Sequence, residues 1–147
     1  DVCSPDLNPG ARITPAEQAF YVPSQDHIGM PQRGAFSATE TSTSTETYYS
    51  TLLHELIHWT GHKSRCARLD DKSKRGYAFE ELVAEIGSMY LTGLLGLECE
   101  DTMENSQAYI KGWCKHLREA KDECIYAIQQ ATKAVNYIKE GKAVNIN

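Results

Sequence analysis

Two histidines one helical turn apart, His54 and His58, constrain this 147-residue chain more than any other feature. Residues four apart on an α-helix share a face, so both imidazoles can point at one cation. Glu55 lies beside His54, close enough to take a proton from a water bound to that cation. In the H-E-x-x-H pattern the two His bind zinc and the Glu is a general base. Two His alone leave the site incomplete, because catalytic zinc usually has three protein ligands and an open position for water. The fold therefore has to bring a third donor to this helix face.

The length suits one domain with a real core. No apolar run is long enough to span a bilayer, so no membrane is expected as a partner. The net charge of -5 argues against the domain as a whole holding nucleic acid by electrostatics. One local exception runs from 62 to 75, with Lys63, Arg65, Arg68, Lys72, Lys74 and Arg75 against Asp70 and Asp71. It reads as a solvated basic loop, or more sharply as a contact for DNA or an acidic partner. Five cysteines, odd in number and without a C-x-x-C pair, favour reduced thiols in a cytoplasmic protein. Cys114 and Cys124 read as small core residues. The first residue is Asp1 and no signal peptide is visible, which reads as a start inside a longer chain.

We expect an α+β, mostly helical fold with a small N-terminal antiparallel sheet. Pro5, Pro9, Gly10 and Pro15 mark residues 1–15 as an irregular lead-in, residues 16–140 as the domain and 141–147 as a polar tail. The aromatic-rich run 18–22 and the apolar alternation 27–30, separated by a turn-like 23–26, predict an antiparallel strand pair. Residues 37–47 are dense in Ser and Thr, a flexible loop that also offers a capping box in Thr43 and Glu46. A helix follows over 46–59, with Leu53, Leu56 and Ile57 as anchors and Gly61 placed to end it. A second helix spans 77–94, with Leu82, Val83, Ile86, Met89, Tyr90 and Leu94 as its buried stripe and Gly93 and Gly96 at its end. Residues 98–104 read as an acidic loop, and amphipathic helices over 106–117 and 118–139 complete the chain.

Three third-ligand candidates emerge. His62 continues the spacing, but one ion cannot be reached from three successive turns, since His62 would lie about 6 Å along the axis from His58. A turn at Gly61 could present a His three residues on, as in metzincins, but Ser64 stands there. Glu81 and Glu85, four apart on the second helix, share a face with Tyr77, whereas Glu80 and Glu81 diverge by ~100°. A carboxylate turned inward there would be costly unless paired or bound to metal. Glutamate zincins use this arrangement, with an acid four residues after the ligand Glu hydrogen-bonding a metal-bound His. Glu81 as ligand and Glu85 as the acid that fixes an imidazole tautomer fit that logic, with Glu85 as ligand the fallback.

With these residues assembled, the chain resembles the zincin-like metallopeptidase domain of ArdC-type antirestriction proteins, found also in plasmid TraC primases and polyvalent phage proteins. The resemblance rests on His-Glu-Leu-Ile-His-Trp-Thr-Gly-His at 54–62 and Tyr-Ala-Phe-Glu-Glu-Leu-Val-Ala-Glu at 77–85. Tyr-Ile-Lys-Gly-Trp at 109–113 and the Phe20-to-Pro31 segment extend it, and the match covers about residues 18–140. It implies a zincin fold, a bound divalent metal and a parent protein from a mobile element. The N-terminal domain of that parent, absent here, would bind single-stranded DNA.

The expected chemistry is peptide hydrolysis on a protein or peptide substrate. His54, His58 and Glu81 would hold Zn2+, although manganese or nickel could occupy such a site. Glu55 would be the general base. Tyr77 is a candidate donor to the developing oxyanion, or a packed aromatic at the helix start. The strand at 27–30 could pair with substrate along its edge. The competing expectation is a metal-stabilised module without catalysis inside a DNA-protection protein.

Overall fold

The computed structural model describes residues 10–69, 75–97, 100–116 and 121–141. Three short strands, β1 (Arg12–Pro15), β2 (Phe20–Val22) and β3 (His27–Met30), precede four helices. These are α1 (Ser44–Thr60), α2 (Gly76–Leu94), α3 (Glu100–His116) and α4 (Lys121–Glu140). Lys72, Lys74, the start of the 98–104 segment and the expected helix boundary at 117–118 lie outside the described residues. No helix among those described is long and apolar enough to cross a membrane.

The sheet is mixed, not purely antiparallel. β3 lies in the middle, antiparallel to β2 with Phe20 opposite Gly29, and parallel to β1 with Ile13 opposite Ile28. The expected strand pair is thus present, but part of the expected irregular lead-in is a third strand. Pro15 has no N–H to donate, which suits the last position of an outer strand.

α1 begins with the expected capping box. The Glu46 amide donates to Thr43 Oγ1 at 3.1 Å and the Thr43 amide to Glu46 Oε2 at 2.6 Å. The Ser/Thr-rich segment before it is a structured turn, with the Ser42 amide donating to Thr39 Oγ1 at 3.0 Å and Ser42 buried. Gly61 ends the helix with a right-handed φ of -73°, so it is not there for left-handed backbone. A Cβ at 61 would stand 2.8 Å from Leu69 Cγ, and close approach is what demands glycine. α2 ends as expected, with Gly96 at φ 65° and the Leu97 amide reaching back to Thr92 O at 3.0 Å. α3 starts at Glu100, inside the segment expected to be a loop. Its acidic residues suit the first turn of a helix, where the dipole favours negative charge.

The core is a helix stack capped by the sheet. Leu53, Leu56 and Ile57 of α1 meet Leu82, Val83 and Leu91 of α2, all fully buried, and Ile28 and Met30 of β3 join the same core. α4 buries Ala127, Ala131, Ala134, Val135 and Ile138, an apolar helical stripe whose three alanines suit close packing against α2. α1 and α2 pack tightly at Gly87, where a Cβ would meet Ile57 Cδ1 at 2.7 Å. Tyr90 and Leu94 of the expected α2 stripe are instead exposed, because they lie on the face turned from α1. Cys124 packs partly buried against the core, while the side chain of Cys114 lies outside the described residues.

Arg65 ties the sheet to the end of α1. Its guanidinium sits 3.9 Å from the Trp59 ring centroid, donates to Trp59 O and pairs with Asp26 through Nη1 at 3.1 Å and through Nη2. Tyr21 donates to the same carboxylate at 2.9 Å, and burial together with that charge pushes its hydroxyl up to about 12. Hydrogen bonds from Arg65 hold the Asp26 carboxyl below its ordinary range against the opposing effect of burial.

Two outcomes are expected. Gly87→Ala should lower stability by about 1–3 kcal/mol through overpacking, despite Ala's helix propensity. Adding Ile57→Val, which removes the nearest methyl, should recover part of that loss in urea unfolding; strict additivity would contradict the close approach. Asp26 has its folded pKa depressed, so its stabilisation is complete above the unfolded carboxylate value of about 4 and lost as pH falls through the folded value. Asp26→Asn, compatible with the φ of 48° there, should therefore destabilise at pH 7 and cost progressively less on acidification. An equal loss at pH 7 and pH 3 would refute this.

Candidate metal centre

α1 presents His54 and His58 one turn apart, and their Nε2 atoms lie 3.1 Å from each other. From α2, Glu81 sets Oε2 3.5 Å from His54 Nε2 and Oε1 3.2 Å from His58 Nε2. A tetrahedral ion with bonds of about 2.0–2.1 Å needs donors about 3.3 Å apart. Each separation lies near that edge length, the two Glu81 contacts running to different carboxylate oxygens, so His54, His58 and Glu81 converge on space for a single cation. Their donor atoms all lie within 4.8 Å of one another. Two imidazoles and a carboxylate suit zinc and its first-row neighbours better than calcium or magnesium.

The opposite edge of each imidazole is also held by a carboxylate. Glu85 Oε1 lies 3.2 Å from His54 Nδ1, the place expected of the acid four residues after Glu81. Glu80 Oε1 lies 3.1 Å from His58 Nδ1. The sequence reading set Glu80 aside because it diverges from Glu81. It does diverge, but the divergence carries it behind His58 rather than out to solvent. The signal was available, since two ligating His need two such partners and Glu80 is the remaining acid of the 77–85 segment. Arg68 then grips Glu80, donating from Nε to Oε2 at 2.7 Å and from Nη2 to Oε1 at 2.8 Å.

These contacts set the charges. Burial pulls His54 down, but hydrogen bonds to Glu81 and Glu85 outweigh it and hold the imidazolium up to about 10. His58 is raised in the same way, with burial overcome by Glu80 and Glu81. Burial opposes ionisation of Glu81, yet the two imidazoles bring it down to about 2, and Arg68 and His58 lower Glu80 against burial likewise. Glu55 goes the other way, raised by burial, which moves a carboxyl toward the range of a working general base. The protons on the imidazoles sit where a cation would, so uptake of metal must release protons.

The site opens to solvent on two sides. One depression of about 320 Å³ is lined by Phe20, Tyr21, Leu69, Glu55 and His58, and another of about 430 Å³ by Thr51, Ser106, Tyr109, Glu85 and others. His54, Tyr77 and Glu81 line both. Tyr77 stands at the start of α2 with 72% exposure, over the cleft rather than packed into the core. β3 is covered on both sides by neighbouring strands, which corrects the expectation that residues 27–30 offer an edge to substrate. β2 is the outer strand facing the cleft.

His62 turns away into its own loop, its Nδ1 2.7 Å from Ser64 Oγ. The basic segment is less a loop of solvated charge than it reads. Arg65 and Arg68 point inward, and Arg75 lies 3.8 Å from the Tyr126 ring centroid and 3.0 Å from Glu123. Those three cations serve the packing of this chain.

A family model for zincin-like metallopeptidases matches residues 8–131. The chain is 42% identical over 133 residues to a DNA primase TraC of Escherichia coli, covering 88% of this chain but 9% of the primase. It is also similar to two crystal structures of the antirestriction ArdC protein from the R388 plasmid. The Mn(II)-bound form matches with a TM-score of 0.70 and 36% identity, over 95% of this chain and 50% of that one. The metal-free form matches with a TM-score of 0.73 and 38% identity, over 92% and 48%. The chain thus spans about half the length of the ArdC protein and about a tenth of the primase.

The two roles assigned to the α2 acids separate in a metal titration. Glu81→Ala removes a vertex and should abolish tight zinc binding in a chelator competition. Glu85→Ala removes only the partner of His54 and should weaken binding about 10- to 100-fold. Equal affinities, or the reverse order, would make Glu85 the ligand.

Proposed function

Because the chain belongs to the zincin-like metallopeptidase family, we propose that it is a metal-dependent peptidase domain of a mobile-element antirestriction-type protein. The observation that carries this is the convergence of donor atoms from His54, His58 and Glu81 on one place, with Glu55 beside it and an open cleft on both sides. In this reading those three residues hold zinc, or manganese as in the Mn(II)-bound ArdC structure. A divalent ion there supplies a Lewis acid that polarises a peptide carbonyl and brings a water's pKa toward neutrality. Glu55 takes the proton of the attacking water and returns it to the leaving amine. The Tyr77 hydroxyl, exposed at the cleft mouth, donates to the developing oxyanion. The outer strand β2 pairs with the backbone of an extended protein or peptide substrate.

Within the longer protein that this reading implies, single-stranded DNA is met by a separate N-terminal domain in the cytoplasm. The net charge of -5 and the inward arginines leave this domain a poor electrostatic partner for DNA. One observation favours a second reading, a metal staple without catalysis. The ligands come from two helices, so an ion would clamp α1 to α2 whether or not a bond is cut.

Glu55→Gln separates the two. On the peptidase reading it keeps its metal and loses cleavage of an unstructured protein substrate by at least about 100-fold, the ordinary contribution of a general base. Native cleavage by Glu55→Gln would overturn the mechanism. DNA protection that survives Glu55→Gln but fails in His58→Ala would support the staple.

A further inference from the structure

We propose that Arg68 is a positioning residue of the metal centre, fixing which nitrogen of His58 faces the ion. This rests on reading His54, His58 and Glu81 as ligands. The Arg68 side chain is 4% exposed. Besides its two bonds to Glu80, it donates from Nη2 to Ile57 O at 2.8 Å and from Nη1 to Thr60 Oγ1 at 3.3 Å. One guanidinium therefore joins the backbone of the ligand helix to a carboxylate on α2.

A two-point grip on both oxygens fixes the plane of a carboxylate, not merely its position. Glu80 held this way presents Oε1 to His58 Nδ1 as an acceptor. An acceptor on that side keeps an imidazole proton on Nδ1 and makes Nε2, beside His54 Nε2 and Glu81, the nitrogen left to face an ion. A freely rotating Glu80 would impose no such choice. His54 has its own carboxylate in Glu85, but no arginine lies against that one among the described contacts.

The turn between α1 and α2 is built to deliver this guanidinium. The Cys66 amide donates to Thr60 O at 2.8 Å and the Leu69 amide to Gly61 O at 2.9 Å, folding residues 61–69 back under the helix end. Ala67 takes a φ of 54° at the reversal. A Cβ at 61 would stand 3.0 Å from Arg68 Nη2, so Gly61 also clears the guanidinium's path.

The test uses the full chain, with zinc affinity by chelator competition and the visible spectrum of the cobalt(II)-loaded protein as readouts. Arg68→Met should bind zinc about 10- to 100-fold more weakly and show an altered cobalt spectrum. Arg68→Lys, which keeps the charge but cannot grip both oxygens, should fall between. Because Arg68 acts through Glu80, Arg68→Met should cost little further affinity once Glu80→Gln is present. A folded Arg68→Met with native affinity and spectrum would overturn the proposal, as would full additivity with Glu80→Gln, the mark of a purely structural role. Should Arg68→Met fail to fold, the same cycle with Arg68→Lys decides.

Discussion

Between α1 and α2, the carboxylates of Glu80, Glu81 and Glu85 meet two imidazoles and a guanidinium, largely shielded from water. Ionised groups in such a place are tolerated only where each is matched by an opposite charge and a hydrogen bond. That requirement governs much of the architecture. It demands that the helices stay in one register, which the apolar contact of Gly87 with Ile57 secures on the buried side. It demands a cation behind Glu80, which only a chain reversal after α1 can bring. It also leaves a place between His54, His58 and Glu81 where the two Nε2 atoms lie 3.1 Å apart and full charge on both imidazoles would be opposed. A dication held there would take the place of those protons and keep Glu81 paired.

The parts of this arrangement that were legible in the sequence are those with local periodicity. His54 and His58 share a helix face by spacing alone, as do Glu81 and Glu85, and the capping box of Thr43 and Glu46 is written in adjacent residues. What the sequence hid depends on long-range pairing. β1 joins β3 in parallel, a contact with no local signature, and Pro15 argued against a strand until its place at an outer end was known. Arg65 and Arg68 look like surface charge in a basic run, since nothing nearby in the chain reveals that Asp26 and Glu80 await them. Glu80 was missed for a related reason. Its position around the helix was read correctly, but a helical wheel does not say that His58 has a second edge.

Metal binding and proteolysis stand on different footings. The donor spacing bears on the first directly, whereas the second depends on Glu55, Tyr77 and β2 acting together on a substrate. The relatives carry the names of a DNA primase and an antirestriction protein, and this chain spans a fraction of each. A peptidase fold inside such a protein is no contradiction, since a domain's chemistry lives in its site and not in the name of the polypeptide that carries it.

The turn at 61–69 lines the cleft with Leu69 and reaches behind His58 with Arg68, two neighbouring residues facing different tasks. On the peptidase reading, substrate preference and ligand geometry would therefore be mechanically coupled in one short segment. An insertion that reshaped the cleft wall at Leu69 would also pull the guanidinium off Glu80. Diversification of this scaffold, by evolution or by design, is thereby steered toward β2 and α3, whose cleft-facing residues can change without touching the ligands' supports.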